Sequence, residues 1–558
     1  MSTSQSCHPV LPNRRGRLVD GLYQTKNLIC TQLKFTGPGL VAAVAYCDPG
    51  NWATDLEAGS TFGYAHLCVI LLASLMAILL QILATRLGYI TNKDLGQHCR
   101  EKLYDRTRHK LIWRWACLYP LYVICEAGII FTDLAELLGT AIALKMIIPS
   151  LPLWLGVILT SADVFFVLIF FNSYPEVSNQ SRRSMHLFEV FVSFLVLIVV
   201  SCFVILLCKV KPDWGDVFQG FLPKRAIIAN SGLYVAVSII GATVMPHSLF
   251  LGSKVAMVDR LWDSPNLKRK APSPKLSSSF SSELPHHPDQ VHSLSPNHQT
   301  NAPPLHPYHL VSGNEDQSFR HSKFHLAHAS FDIGISLFAL ALPVNAAILI
   351  VAAAAFYYGG STGPIQVADL ASAFKLLKNR VGESAGYIFA IALLISGQAA
   401  SITVTLAGQI VSEGFIQWRT RPVIRRLATR LIGIVPSAIV AAVAGPRAVD
   451  DLLVGSQVAL SLVLPFVVAP LILFTSDKEI MSVTACELIA PESPTQAECT
   501  HPKPSGLHPI DGLTESPFLS RAVSFENPFV VKIMAWLIFL LCSIANVYAI
   551  IQLIQGRN

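Results

Sequence analysis

The chain has 558 residues, 52% of them hydrophobic and only 14% charged, with a mean hydropathy of +0.50. Soluble domains carry about 25% charged residues, so the composition points to lipid. The net charge of +7 is better read through where the basic residues fall than as affinity for nucleic acid, and no nucleic-acid partner is expected.

The opening MSTSQSCHPVLPNRRGRLVD is polar and basic and lacks the apolar core of a signal peptide, so residues 1–37 are expected to form a cytosolic tail. Eleven apolar segments follow, at about 38–60, 66–88, 115–145, 152–172, 187–208, 228–256, 331–358, 385–414, 430–447, 453–476 and 529–555. Stretches such as Val69–Ala84, Phe191–Leu207 and Ala346–Phe356 carry no charge. A bilayer core needs roughly 20 apolar residues per helix, and the alternation of a membrane β-barrel is absent. An all-α membrane protein of about eleven transmembrane helices is expected, embedded in a lipid bilayer.

The first segment holds AYCDPGNWATDLEAG, which sets an acid, Asp48, beside two helix breakers, Pro49 and Gly50. Proline removes one backbone bond and clashes with the preceding turn, and in lipid the freed groups must find partners or face a polar cavity. The sixth segment breaks in the same way at Met245-Pro246-His247. Each break falls in the first helix of a five-helix block. Paired interruptions of this kind point to a transporter built of inverted repeats, with its site at the bilayer midplane. Asp48 offers a carboxylate, Asn51 an amide oxygen and Met245 a thioether, and unwinding would free the carbonyls of Ala45 and Ala242. One carboxylate, neutral oxygens and a sulfur suit a divalent transition metal such as manganese or iron.

In the third segment Asp133 and Glu136 share a helical face, with Glu126 on the same stripe. Intramembrane acids are costly and usually face a cavity, so these three read as a proton ladder, with a structural hydrogen-bond network as the alternative. His247 can titrate near neutral pH. Asp163 and Glu189 are further embedded acids, suited to an ion pair or a relay. Asp55 and Glu57, near the outer end of the first segment, read as interfacial acids, with attraction of cations into a vestibule as the alternative. Arg425, Arg426 and Arg430 either pair with the third-segment acids or anchor the cytosolic boundary.

Basic residues crowd alternate joints: Lys93, Arg100, Lys102, Arg106, Arg108, Lys110 and Arg114 after the second segment, Arg182 and Arg183 after the fourth, and Arg419, Arg421, Arg425 and Arg426 after the eighth. The positive-inside rule then puts the N-terminus in the cytosol and, with eleven spans, the C-terminus outside. KVKPDWGDVFQGFLPKR, on an outer joint, is the exception. Residues 259–328 and 477–528 are polar, low-complexity stretches expected to be largely disordered cytosolic loops, open to cytosolic regulators. They flank the blocks 38–258 and 329–476, and 529–558 closes the chain. The histidines of the first loop are irregularly spaced, with no acid or thiol cluster beside them, and read as part of a solvated linker, with metal buffering as the alternative. Twelve cysteines, scattered without a CxxC pair, read as core-filling thiols.

DPGN in the first segment and MPH in the sixth resemble the Nramp family of proton-coupled divalent-metal transporters, with a fungal flavour in MPHSLFLG. SGQAASITVTLAGQIVSEGF (Gly397, Gln398, Gly408, Gln409, Gly414), EAGIIFTDLAELLG and GSQVALSLVLPF add to the likeness. The resemblance implies an inverted-repeat (5+5) LeuT-like bundle with broken helices 1 and 6. It implies metal binding by Asp48, Asn51 and Met245 with the carbonyls of Ala45 or Ala242, Gln457 joining as the site occludes. It places Asp48, His247, Asp133 and Glu136 on the proton route. Two positions depart: Ser248 stands where many members have asparagine, and Gly252 where many have a second histidine. With no HExxH and no P-loop, neither an enzyme nor an ATP-driven pump is expected, and no resident cofactor. The remaining alternatives are a metal sensor and a sodium-coupled organic-solute symporter of the same fold.

Overall fold

The described parts of all eleven apolar segments are largely helical in the computed structural model, which describes residues 32, 35–106, 108–170, 179–228, 232–257, 315–359, 369–417, 422–443, 446–486 and 520–555. In chain order the helices are α1 (Pro38–Ala45), α2 (Pro49–Phe62), α3 (Leu67–Thr91), α4 (Leu95–Tyr104), α5 (Tyr119–Ile147), α6 (Leu153–Phe170) and α7 (Asn179–Val210). They continue with α8 (Trp214–Gly220), α9 (Gly232–Thr243), α10 (Pro246–Val255), α11 (Glu315–Ser336), α12 (Leu342–Ala352), α13 (Leu370–Arg380), α14 (Glu383–Ile416), α15 (Pro422–Val443), α16 (Pro446–Ser476) and α17 (Phe529–Ile554). Among the described residues, eight helical stretches are long and apolar enough to cross a bilayer.

The described parts of residues 1–260, 325–482 and 524–558 form one unit, and those of 261–324 and 483–523 a second. Two findings refine the loop expectations. The seventh segment begins earlier than 331, because α11 starts at Glu315 and runs through a π-helical turn, Leu337–Ala341, into α12. On α11, His325 stacks on Tyr89, and Phe35 packs against both His325 and His328. These two histidines are packed ring partners rather than part of a solvated linker. Within 477–528, β1 (Ser482–Cys486) and β2 (Ser520–Ser524) pair into a two-stranded sheet. His321 also lies on α11, with its side chain outside the described residues, and the histidines from His286 to His309 lie outside them altogether.

The two breaks fall where the prolines dictate. Pro49 and Pro246 have no N–H, so the carbonyls four residues earlier, Ala45 and Ala242, cannot receive the helical bond. The chain leaves α1 and α9 there and restarts with proline in the first turn of α2 and α10, a position proline favours. The residues before them, Asp48 and Met245, are both extended, with φ/ψ of −78°/163° and −76°/122°, as the residue before proline prefers. The same backbone device thus recurs in the two five-helix blocks. Glycines let neighbouring helices close on the first break: a β-carbon at Gly139 of α5 would strike Pro49, and one at Gly397 of α14 would strike Thr140 and Pro49.

Candidate metal centre

Asp48 is the N-cap of α2. Its carboxylate accepts from the backbone N–H of Gly50 at 3.0 Å and of Asn51 at 3.1 Å. Capping of this kind is worth about 1 kcal/mol, so the acid that interrupts one helix also starts the next. The helix N-terminus favours its negative charge, and a carboxylate has lone pairs left for a cation.

Asn51 straps the break shut. Its Nδ2 lies at hydrogen-bond distance from the carbonyl of Tyr46 (3.1 Å), the carbonyl of Ala242 (3.2 Å) and Asp48 Oδ1 (2.5 Å). The bond to Ala242 joins the first break to the second. Three acceptors around the nitrogen leave the amide oxygen turned away from them, and Asn51 Oδ1 is buried with no partner. Gln457, on α16, arrives from the other side. A β-carbon at Gly50 would collide with its carboxamide and with Asp48. Gln457 Nε2 donates to Ser456 Oγ at 3.0 Å, while Oε1 is buried without a partner. Met245 is the N-cap of α10, three residues after Ala242, and is wholly buried. Asp48, Asn51, Ala242, Met245 and Gln457 all have 0% exposure, so the centre is closed to both sides. Among the described residues no three His, Cys, Asp or Glu side chains gather in a way that could hold a metal. A cation here would meet one acid and neutral donors.

Sequence reasoning missed two contributors. The Tyr46 carbonyl accepts from Asn51 and from Asn345 Nδ2 at 3.0 Å, and Asn345 Oδ1 is buried without a partner. Asn345 is visible in the sequence as the one amide in ALPVNAAILIV, but nothing there says what it faces. The second is the Tyr46 hydroxyl, 3.1 Å from Ser248 Oγ, which in turn bonds the Met245 carbonyl at 2.8 Å. The departure at Ser248 therefore adds a second polar link between the two breaks. At the other departure, a β-carbon on Gly252 would collide with the carboxamide of Gln81, whose polar atoms are buried and unpartnered. An amide from α3 fills that space.

Of the ionisable candidates, Glu136 is buried with neither carboxylate oxygen hydrogen-bonded, and both ring nitrogens of His247 are likewise buried and unpartnered. Asp133 is committed: Arg430 of α15 forms a buried ion pair with it and also bonds Ser401. That resolves Arg430 as a partner of the third-segment acids. The side chains of Arg425, Arg426 and Asp163 lie outside the described residues. Glu126 is half-buried, with one unpartnered oxygen. Glu189 is buried with its carboxylate against Gly37, at the entrance to α1. Asp55 corrects an expectation. It is 1% exposed with both oxygens unpartnered, two turns beyond Asp48 on the same helix, and is buried within the bundle rather than facing water.

The model of the Nramp family, described as natural resistance-associated macrophage protein-like, matches residues 39–282 and 298–490. The manganese transporter pdt1 of Schizosaccharomyces pombe is 41% identical over 453 residues, 81% of this chain and 76% of that protein. The iron transporter SMF3 of Saccharomyces cerevisiae is 40% identical over 455 residues, 81% of this chain and 83% of that one. Among solved structures, the Eremococcus coleocola manganese transporter superposes with a TM-score of 0.65 at 28% identity, over 94% of this chain and 87% of that chain.

Proposed function

This chain belongs to the Nramp family, and from that premise we propose that it carries Mn2+, Fe2+ or a related divalent metal toward the cytosol, together with protons, by alternating access. Its membrane bundle is the LeuT-like inverted-repeat fold, and its relatives are named as manganese, iron and divalent-metal transporters. The observation that carries the reading is the pair of unpartnered, fully buried oxygens, Asn51 Oδ1 and Gln457 Oε1, beside the lone carboxylate of Asp48. A buried polar atom left without a partner costs about 1–3 kcal/mol, and a cation between them would remove that cost.

Asp48, Asn51, Met245 and Gln457 would be the direct ligands, with the carbonyl of Ala242 or Ala45 completing the shell. The thioether favours soft transition metals over calcium and magnesium. A proton released as metal meets Asp48 has two buried, unpartnered acceptors to reach, His247 and Glu136. Beyond them the Asp133–Arg430 pair and then Glu126 continue the route along α5. The N-terminus would face the cytosol, in keeping with the basic joints named above.

Reconstituted liposomes holding a dye for Mn2+ and another for internal pH test both halves. Uptake under an inward proton gradient that acidifies the lumen is the expected result. Uptake without acidification would overturn the proton coupling alone. Binding without uptake, by folded and correctly oriented protein, would overturn transport and leave a sensor.

A further inference from the structure

The eleventh span, α17, supplies none of the proposed ligands, yet it reaches the helix that carries Gln457. Pro465 lies inside α16. Without an N–H it cannot serve the carbonyl four residues earlier, which is that of Ser461. Ser461 is one turn beyond Gln457 and is 0% exposed, so water does not serve that carbonyl either. Asn546 of α17 does. Its Nδ2 donates to the Ser461 carbonyl at 2.6 Å, and its Oδ1 accepts from Ser461 Oγ at 2.6 Å. One carboxamide thus replaces the missing backbone donor and holds the adjacent hydroxyl.

The same turn is also pressed by α9. A β-carbon at Gly241 of α9 would strike the Gln457 carbonyl, the Ser461 side chain and the Ser461 nitrogen. Gly241 immediately precedes Ala242, whose carbonyl accepts from Asn51. The turn Gln457–Ser461 is therefore gripped between α9, which shapes the metal centre, and Asn546 on the terminal span. A proline-weakened helix held at its weak point by a neighbouring side chain has a defined register without being stiff.

We infer that Asn546 is a positioning residue for metal occlusion: by donating to the carbonyl that Pro465 leaves open, it sets the turn of α16 that brings Gln457 onto Gly50 and Asp48. The inference rests on the reading of Gln457 as a ligand, and the experiment separates the two.

The KM for Mn2+ uptake is measured in liposomes for wild type, Asn546→Ala, Pro465→Ala, Asn546→Ala/Pro465→Ala, Gln457→Ala and Asn546→Ala/Gln457→Ala. Asn546→Ala strips the Ser461 carbonyl of its buried donor and is expected to raise KM roughly tenfold, about 1.4 kcal/mol. Pro465→Ala restores a backbone N–H, so the Asn546→Ala/Pro465→Ala protein should return to within about twofold of Pro465→Ala alone. Acting through Gln457, Asn546→Ala should add less than about twofold on top of Gln457→Ala. A wild-type KM in Asn546→Ala, no rescue by Pro465→Ala, or penalties for Asn546 and Gln457 that multiply would each overturn the inference. A wild-type KM in Gln457→Ala would strike the ligand reading instead, and the proline rescue would still report on the Ser461 bond. Should Asn546→Ala fail to accumulate, recovery of folded protein in the Pro465→Ala double variant supports the same bond, and failure of both overturns it.

Discussion

The two helix breaks share a backbone path but are held differently. At the first, Asp48 caps α2 with two backbone bonds, and Asn51 and Asn345 both grip the Tyr46 carbonyl. At the second, Met245 makes no side-chain cap, and its carbonyl is held by Ser248, a small hydroxyl that also touches Tyr46. The first break is braced and charged; the second is adaptable and soft. Strong polar anchoring on one side and a flexible thioether on the other would let the two half-sites separate and re-form around an ion.

Asp48→Asn is the sharpest way to break that contrast, because asparagine caps helices about as well as aspartate. Thermal stability should stay near wild type while Mn2+ uptake falls about a hundredfold or more, the scale of removing one partner from a buried charge pair. A similar fall in stability would mean that the carboxylate serves the helix rather than the ion. Gly50→Ala tests the bracing sterically. Its β-carbon would overlap the Gln457 carboxamide, overpacking of this kind costs about 1–3 kcal/mol, and KM for Mn2+ should rise roughly tenfold. Met245→Ala probes the soft side. Mn2+ uptake should weaken only about fivefold, while Ca2+ begins to compete in a mixed-ion assay, since oxygen ligands alone do not exclude it. Ser248→Ala should have the smallest effect, about threefold or about 0.7 kcal/mol at most. It would appear as a faster unfolding rate if the Tyr46–Ser248 link holds the closed state.

The sequence was most informative where chemistry is local. Asp48-Pro49-Gly50-Asn51 and Met245-Pro246-His247 declare their breaks because proline acts on its own backbone, and the spans declare themselves because lipid demands unbroken apolar length. Partnership was not legible. Arg430 could be an anchor or a counter-ion until α15 was placed beside α5. Asn345 and Asn546 each sit as an amide in an apolar run, but the carbonyls they serve belong to other helices. The burial of Asp55 was hidden because a position near a segment's end does not say which neighbouring helices cover the side chain. The packing of His325 and His328 was hidden by the polar composition around them, which averages over two stacked aromatic contacts.

The lone carboxylate of the sealed centre has an electrical consequence. If Asp48 is the metal ligand proposed above, the site with Asp48 ionised would carry one negative charge when empty and one positive charge when holding a divalent ion. A potential negative on the cytosolic side would then draw the loaded form inward and drive the empty form outward. Each unit charge crossing the full field is worth about 2.3 kcal/mol per 100 mV, so a single acid among neutral ligands lets one voltage favour both strokes of the cycle. A second carboxylate beside the first would make the loaded site neutral and remove the voltage's grip on the inward stroke.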